Sequence, residues 1–146
     1  MRDAAHNIQV KRVLSPASVA DDTAQVGQII DRLGYDSVTY IIATGDIADA
    51  NATFAVLLEE GDAANMSDHT AVADADMISQ TAGTAPETAA SFQFDDDNEV
   101  RKLGYVGNKR YTRLTITPTG NGSAALLSAV AVLAHPNTAP VTQAAA

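Results

Sequence analysis

The sequence predicts an all-β fold, a jelly-roll-like β-sandwich with extended terminal arms. Three observations predict it. Apolar residues recur with a period of two in several runs, and those runs are rich in β-branched and aromatic side chains. Each run ends at a cluster of Gly, Pro, Asn or Asp, the residues that accept turn geometry. No stretch carries a persuasive amphipathic helical stripe. Several short strands separated by turns, without helices to cover a sheet, leave sheet on sheet as the way to bury a core.

Three strands are marked most clearly. In DSVTYIIATG, Val38, Tyr40 and Ile42 share one face, with Thr39 and Ile41 on the other, and Thr44-Gly45-Asp46 is expected to end the run. In TFAVLLEEGD, Phe54, Val56 and Leu58 alternate with small or polar neighbours up to Gly61-Asp62. In RYTRLTITPTG, Leu114 and Ile116 are expected in the core, and Arg113, Thr115 and Thr117 on a solvated or docking face. Weaker candidates are Val10–Leu14, Gln25–Asp31, Ser91–Phe94 and Arg101–Val106. Residues 63–87 read as loops around one short strand near Asp76–Ser79. SAALLSAVAVLAHP has high helix propensity, yet Leu126, Ser128, Val130 and Val132 keep a period of two and Pro136 ends the run. The turn before it favours a strand paired in a hairpin with 110–118.

The chain has 146 residues, which suits one domain with a core that needs no staples. The expected organisation is an N-terminal arm over 1–9, a sandwich domain over 10–136 and a C-terminal tail over 137–146. Absence of Cys excludes disulfides and thiolate metal sites. No apolar run reaches the roughly 18–20 residues needed to cross a bilayer, so no membrane partner is expected. MRDAAHNIQVKRV has no apolar core of the secretory type.

The formal net charge of −9 argues against nucleic acid as a partner. Its distribution is uneven. From Leu33 to Val100 there is no Lys or Arg and there are fourteen Asp or Glu. Arg2, Lys11, Arg12 and Arg32 precede that stretch, and Arg101, Lys102, Lys109, Arg110 and Arg113 follow it. Two arrangements are open. Segments kept apart would polarise the surface and favour oriented docking. Segments interleaved in one sheet would cancel.

Candidate chemistry is sparse, and no enzyme is expected. A hydrolase needs a nucleophile with a base in reach. The histidines are His6, His69 and His135. Ser67-Asp68-His69 has suitable residue types, but sequence neighbours do not converge as a triad, and no G-x-S-x-G elbow is present. Asp95-Asp96-Asp97-Asn98-Glu99 offers oxygen ligands without the order of a calcium loop and reads as a solvated turn. No metal and no cofactor are expected. GYVGNKRYTR lacks the glycine order of a phosphate cradle. It reads as a hairpin, with a strand into Tyr105, a positive-φ turn at Gly107-Asn108 and a second strand from Arg110 to Pro118. The basic group Lys102, Lys109, Arg110 and Arg113 is the candidate partner interface, for a docking partner or for sister subunits.

GYVGNKRYTRLTITPTGNGSAALLSAVAVLAHP, with IDRLGYDSVTYIIATGDIADANATFAVLLEEGD and SDHTAVADADMIS upstream, resembles a segment of the capsid decoration, or cement, proteins of tailed bacteriophages. The resemblance covers most of residues 24–141. It implies a β-sandwich without catalytic residues, made in the bacterial cytoplasm and placed on the outer capsid surface of the virion. It further implies homotrimers that bridge copies of the major capsid protein. Two other readings stand beside it: a carbohydrate-binding β-sandwich module, and a head-completion or tail structural protein. The first is disfavoured by the absence of Trp and the presence of only four Tyr and three Phe.

Overall fold

The structure is a computed structural model and describes residues 2–145. Its strands are β1 (Ile8–Val19), β2 (Gln25–Val26), β3 (Ile30–Asp31), β4 (Tyr35–Ile47), β5 (Thr53–Gly61) and β6 (Thr70–Ala71). They continue as β7 (Met77–Ser79), β8 (Phe92–Gln93), β9 (Val100–Tyr105), β10 (Tyr111–Thr119) and β11 (Ala125–Pro136). One short helix, α1 (Pro86–Ala90), begins with a proline in its first turn, where no N–H is needed.

The strands form two antiparallel sheets. Sheet A runs β1-β11-β4-β9-β7, and sheet B runs β2-β10-β5-β6, with β3 also on β10 and β8 also on β5. With β2 and β3 taken as one interrupted strand, and β6 and β8 as another, this is the strand order of a jelly roll. The alternation read in the sequence explains the core. Val38, Tyr40, Ile42, Leu103, Tyr105 and Leu133 of sheet A face Phe54, Val56, Leu58, Leu114 and Ile116 of sheet B, and all are buried. Small residues admit large ones: Ala131, fully buried, pairs directly with Tyr40. Phe54 and Phe92 stack with centroids 4.7 Å apart.

The two expected hairpins do not form. β9 lies in sheet A, β10 in sheet B and β11 in sheet A again. The connections over 106–110 and 120–124 are five residues each. They are arches across the roughly 10 Å between sheets, not the tight turns that join neighbours. Each strand thereby lays its apolar side against the opposite sheet. The positive-φ turn at Gly107-Asn108 is also absent, since neither residue is among those with positive φ. Glycine is required at 107 because a Cβ there would lie 2.6 Å from Tyr105 Oη. Nor does Thr44-Gly45-Asp46 end its strand. β4 continues to Ile47 through a register shift opposite Ala125 and Leu127, and a Cβ on Gly45 would lie 2.9 Å from that of Leu126.

The ambiguous run at 123–134 is a strand, as expected, and the short strand near Asp76–Ser79 is β7. The edges of the sheets are closed by local devices. At Gly27 the chain leaves β10 for β1: Gly27 N–H donates to Leu114 O at 2.8 Å and Gln28 N–H to Val13 O at 3.0 Å, which ties the two sheets together. The open edge of β5 is met by side chains of and after α1. Leu58 N–H donates to Glu87 Oε1 at 2.6 Å, and Val56 N–H to Ser91 Oγ at 3.0 Å. The C-terminal arm, extended beyond Pro136, returns along the start of β1. Val141 N–H donates to His6 O, and the Gln143 amide both accepts from Val10 N–H and donates to Val10 O.

Candidate docking surface

The structure does not bring the four predicted interface residues together. Arg113 pairs in register with Glu59 on β5, while Lys102 pairs with Ile41 on β4. Leu114 and Ile116 face the core, so Arg113 projects from the outer face of sheet B. Leu103 and Tyr105 face the core from β9, so Lys102 projects from the outer face of sheet A. The two cations therefore sit on opposite sides of the sandwich. Lys109 and Arg110 lie in the arch between these strands, at one end of it.

Three of the four are held by acidic residues of the same chain. Lys109 Nζ lies 2.6 Å from Asp62 Oδ2. Arg110 donates from Nε and Nη2 to the two carboxylate oxygens of Asp31 at 3.0 and 2.8 Å, and its guanidinium lies 5.0 Å from the Tyr111 ring centroid. Arg113 donates from Nε and Nη2 to Glu59 Oε2 at 3.1 and 2.7 Å. Bonding to Lys109 holds the Asp62 carboxyl below the ordinary range, and bonding to Arg110 does the same for Asp31. Arg101, read as a flanking base, bonds Asp96 and Glu99. Of the two arrangements left open by the charge distribution, the fold adopts the interleaved one. Lys109, Arg113 and Arg101 each neutralise a carboxylate from the base-free stretch.

The other candidates are also absorbed by structure. Asp68 accepts from Asp62 N–H and Ala63 N–H and so caps the turn after β5. His69 Nδ1 lies 2.7 Å from Met66 O, and its Nε2 lies 3.5 Å from Glu59 Oε1, so Ser67-Asp68-His69 is no triad. In the acidic turn, Asp96 accepts from Gln93 N–H and Asp97 from Ile47 N–H. At the arch, Lys109 N–H donates to Tyr105 Oη, which donates to Glu60 Oε2 at 2.6 Å. Burial, then that carboxylate, pushes the Tyr105 hydroxyl pKa up. Among the described residues, no cluster of three or more His, Asp or Glu is placed to hold a metal, and no helix is long and apolar enough to cross a membrane.

No protein-family model and no curated protein matches the chain. The chain is similar to several solved structures. The PBSX exported protein XepA superposes with a TM-score of 0.55 at 16% identity, over 94% of this chain and 41% of XepA. The chain thus spans well under two thirds of that relative. The SPBc2 prophage-derived protein YomS gives a TM-score of 0.47 at 10% identity, over 86% of this chain and 93% of YomS. The xylan-binding module CBM15 gives 0.37 at 11% identity, over 93% and 95%. At these identities the likeness to XepA is one of fold.

Proposed function

We propose that this chain is a non-enzymatic structural protein of a phage virion. In the finer reading it decorates and stabilises the outer capsid surface by bridging major capsid proteins, as a homotrimer. One observation carries the reading. Many of the side chains that could do chemistry are spent on holding the sandwich: acids and bases pair with each other or with backbone N–H groups. The resemblance of the 104–136 segment to decoration proteins supports the same reading, and the sandwich shared with XepA agrees with it. A carbohydrate-binding module would present an aromatic platform, whereas Phe94, at 39% exposure, is the sole aromatic among the exposed large apolar residues described.

A shell protein binds many equivalent sites. Modest affinity per copy suffices when a trimer engages several subunits at once. The test is a density map of the intact particle, with the copy number of this chain. Copies on the scale of the shell subunits, located outside, agree with decoration. Copies on the scale of one ring, at a vertex, would replace it with a head-completion or tail role. Absence from the particle would overturn the structural reading.

A further inference from the structure

The solvent side of an antiparallel sheet ordinarily reads polar, and sheet A does not. Its register sets the outer face in rows across five strands. One row is Val10, Val132, Thr39, Gly104 and Ile78. The next is Arg12, Val130, Ile41 and Lys102. A third is Ser128, Ala43 and Val100. Among the described residues, no strand, helix or loop layer is paired with this face. Val100 is 69% exposed, Ile78 56% and Leu126 46%. Two hollows indent it. One, of about 160 Å³, lies beside Gly104 between Thr39, Ile78 and Lys102. The other, of about 360 Å³, lies between Ala43, Gly45 and Leu126.

The charges in these rows are Arg12 and Lys102, both positive, in a chain of net charge −9. Neither has an ion-pair partner among the described residues, whereas Arg101, Lys109, Arg110 and Arg113 do. We propose that the outer face of sheet A is the docking surface, and that it receives a protein surface with an apolar centre flanked by carboxylates. The proposal rests on the structural-protein reading above and names the surface it uses.

The charge pattern selects this occupant. A second copy docked face to face about a two-fold axis would set Arg12 against Lys102 across the middle of their row, like against like. A polyanion would meet two cations on a mostly aliphatic ground, too few for phosphate-driven binding. Five strands at about 4.8 Å and seven residues at about 3.4 Å bound the footprint at roughly 570 Å², and the short β7 reduces it. That is below the roughly 800 Å² per partner of a stable interface, so several linked copies are needed for firm attachment.

The experiment is co-sedimentation with capsid shells assembled without this protein, over a range of salt. Val130→Glu with Ile41→Glu places two carboxylates at the centre of the face. Binding is expected to weaken at least ten-fold, with the far-UV circular dichroism spectrum unchanged. Lys102→Glu, on an exposed side chain that no core contact needs, keeps the test available if the double variant misfolds. It is expected to weaken binding several-fold at low salt and hardly at all at high salt. Leu57→Glu, on the outer face of sheet B, is expected to bind as wild type. Wild-type binding by both sheet A variants would overturn the proposal and leave the structural reading standing. Wild-type protein that ignores shells would overturn the decoration reading and this proposal together. Flotation with anionic lipid vesicles in place of shells would assign the face to a membrane and overturn it too.

Discussion

Tyr40 of sheet A and Thr112 of sheet B join the two layers through the core, Oη to Oγ1 at 2.6 Å, with both residues fully buried. Burial pushes the Tyr40 hydroxyl pKa up, so it stays neutral, and each hydroxyl has the other as its partner. Removing one leaves the second unpaired in an apolar interior. Tyr40→Phe and Thr112→Val are each expected to lower stability by about 1–3 kcal/mol. The double variant should lose clearly less than the sum, because it strands no hydroxyl. Urea unfolding of the four proteins checks this. Strict additivity would mean that the bond contributes nothing beyond packing.

Arg113 and Glu59 face each other in register, with side chains 21% and 12% exposed. Replacing Arg113 by Glu sets two carboxylates opposite each other in a poorly solvated position. A loss of roughly 1–3 kcal/mol is expected, and more than for Arg113→Met. Arg110→Glu should change stability little, because its pair with Asp31 is exposed and screened. Thermal melts of the three variants decide it. Equal melting temperatures for Arg113→Glu and wild type would mean that Arg113 is free to serve as a contact residue.

The strands were legible because burial on one side of a sheet writes a period of two. Val38, Tyr40, Ile42, Phe54, Val56 and Leu58 are all core, as that alternation implies. Strand partners were not legible. Leu114 and Ile116 alternate identically whether the strand beyond the arch joins their own sheet or the opposite one. β1 was seen only over Val10–Leu14 because Pro16 interrupts it, on an edge strand whose register shifts at both Arg12/Leu14 and Leu14/Ala17. The dispersal of the four candidate interface residues was not legible for a related reason. Proximity of Lys102 to Arg113 in sequence says nothing when the chain changes sheets between them, and Glu59 is far from Arg113 in sequence. The outer face of sheet A was hidden because Leu126, Val130 and Val132 alternate with Leu127, Ala129, Ala131 and Leu133, so neither side of β11 was marked polar.

Glu87 gives a pH signature of its own. Burial raises its pKa, and the Asp74 carboxylate adds in the same sense, against the bond from Leu58 N–H. The folded state thus holds the proton more tightly than the unfolded chain. Its contribution is largest below the ordinary glutamate range and falls as pH rises through the raised value. Glu87→Gln keeps an oxygen for Leu58 N–H and removes the titration. The stability difference, wild type minus variant, is expected to fall across that window and level off above it. Urea midpoints in a pH series measure it. A difference that rises with pH would show the charged form to be the favoured one.

Gly27 and Gly34 are required for different reasons, and substitution separates them. A Cβ at Gly27 would lie 2.6 Å from Leu114 O and 2.7 Å from Val13 Cγ1. Leu114 O is backbone in β10, which is paired on both sides, so it has little room to yield. Any side chain there must pry β10 from β1 and strain the bonds at Gly27 and Gln28. Gly34 has open space around it, and its demand is a φ of +88°. Alanine at 34 is expected to lose about 1–2 kcal/mol from the left-handed backbone alone. Asparagine at 34 should recover part of that, since it tolerates positive φ. At 27 the order reverses. Alanine should lose about 1–3 kcal/mol by overpacking, and asparagine, being larger, should lose more. Unfolding midpoints for the four variants test the assignment. Rescue by asparagine at 27 would show that backbone conformation, not close approach of the two sheets, fixes that glycine.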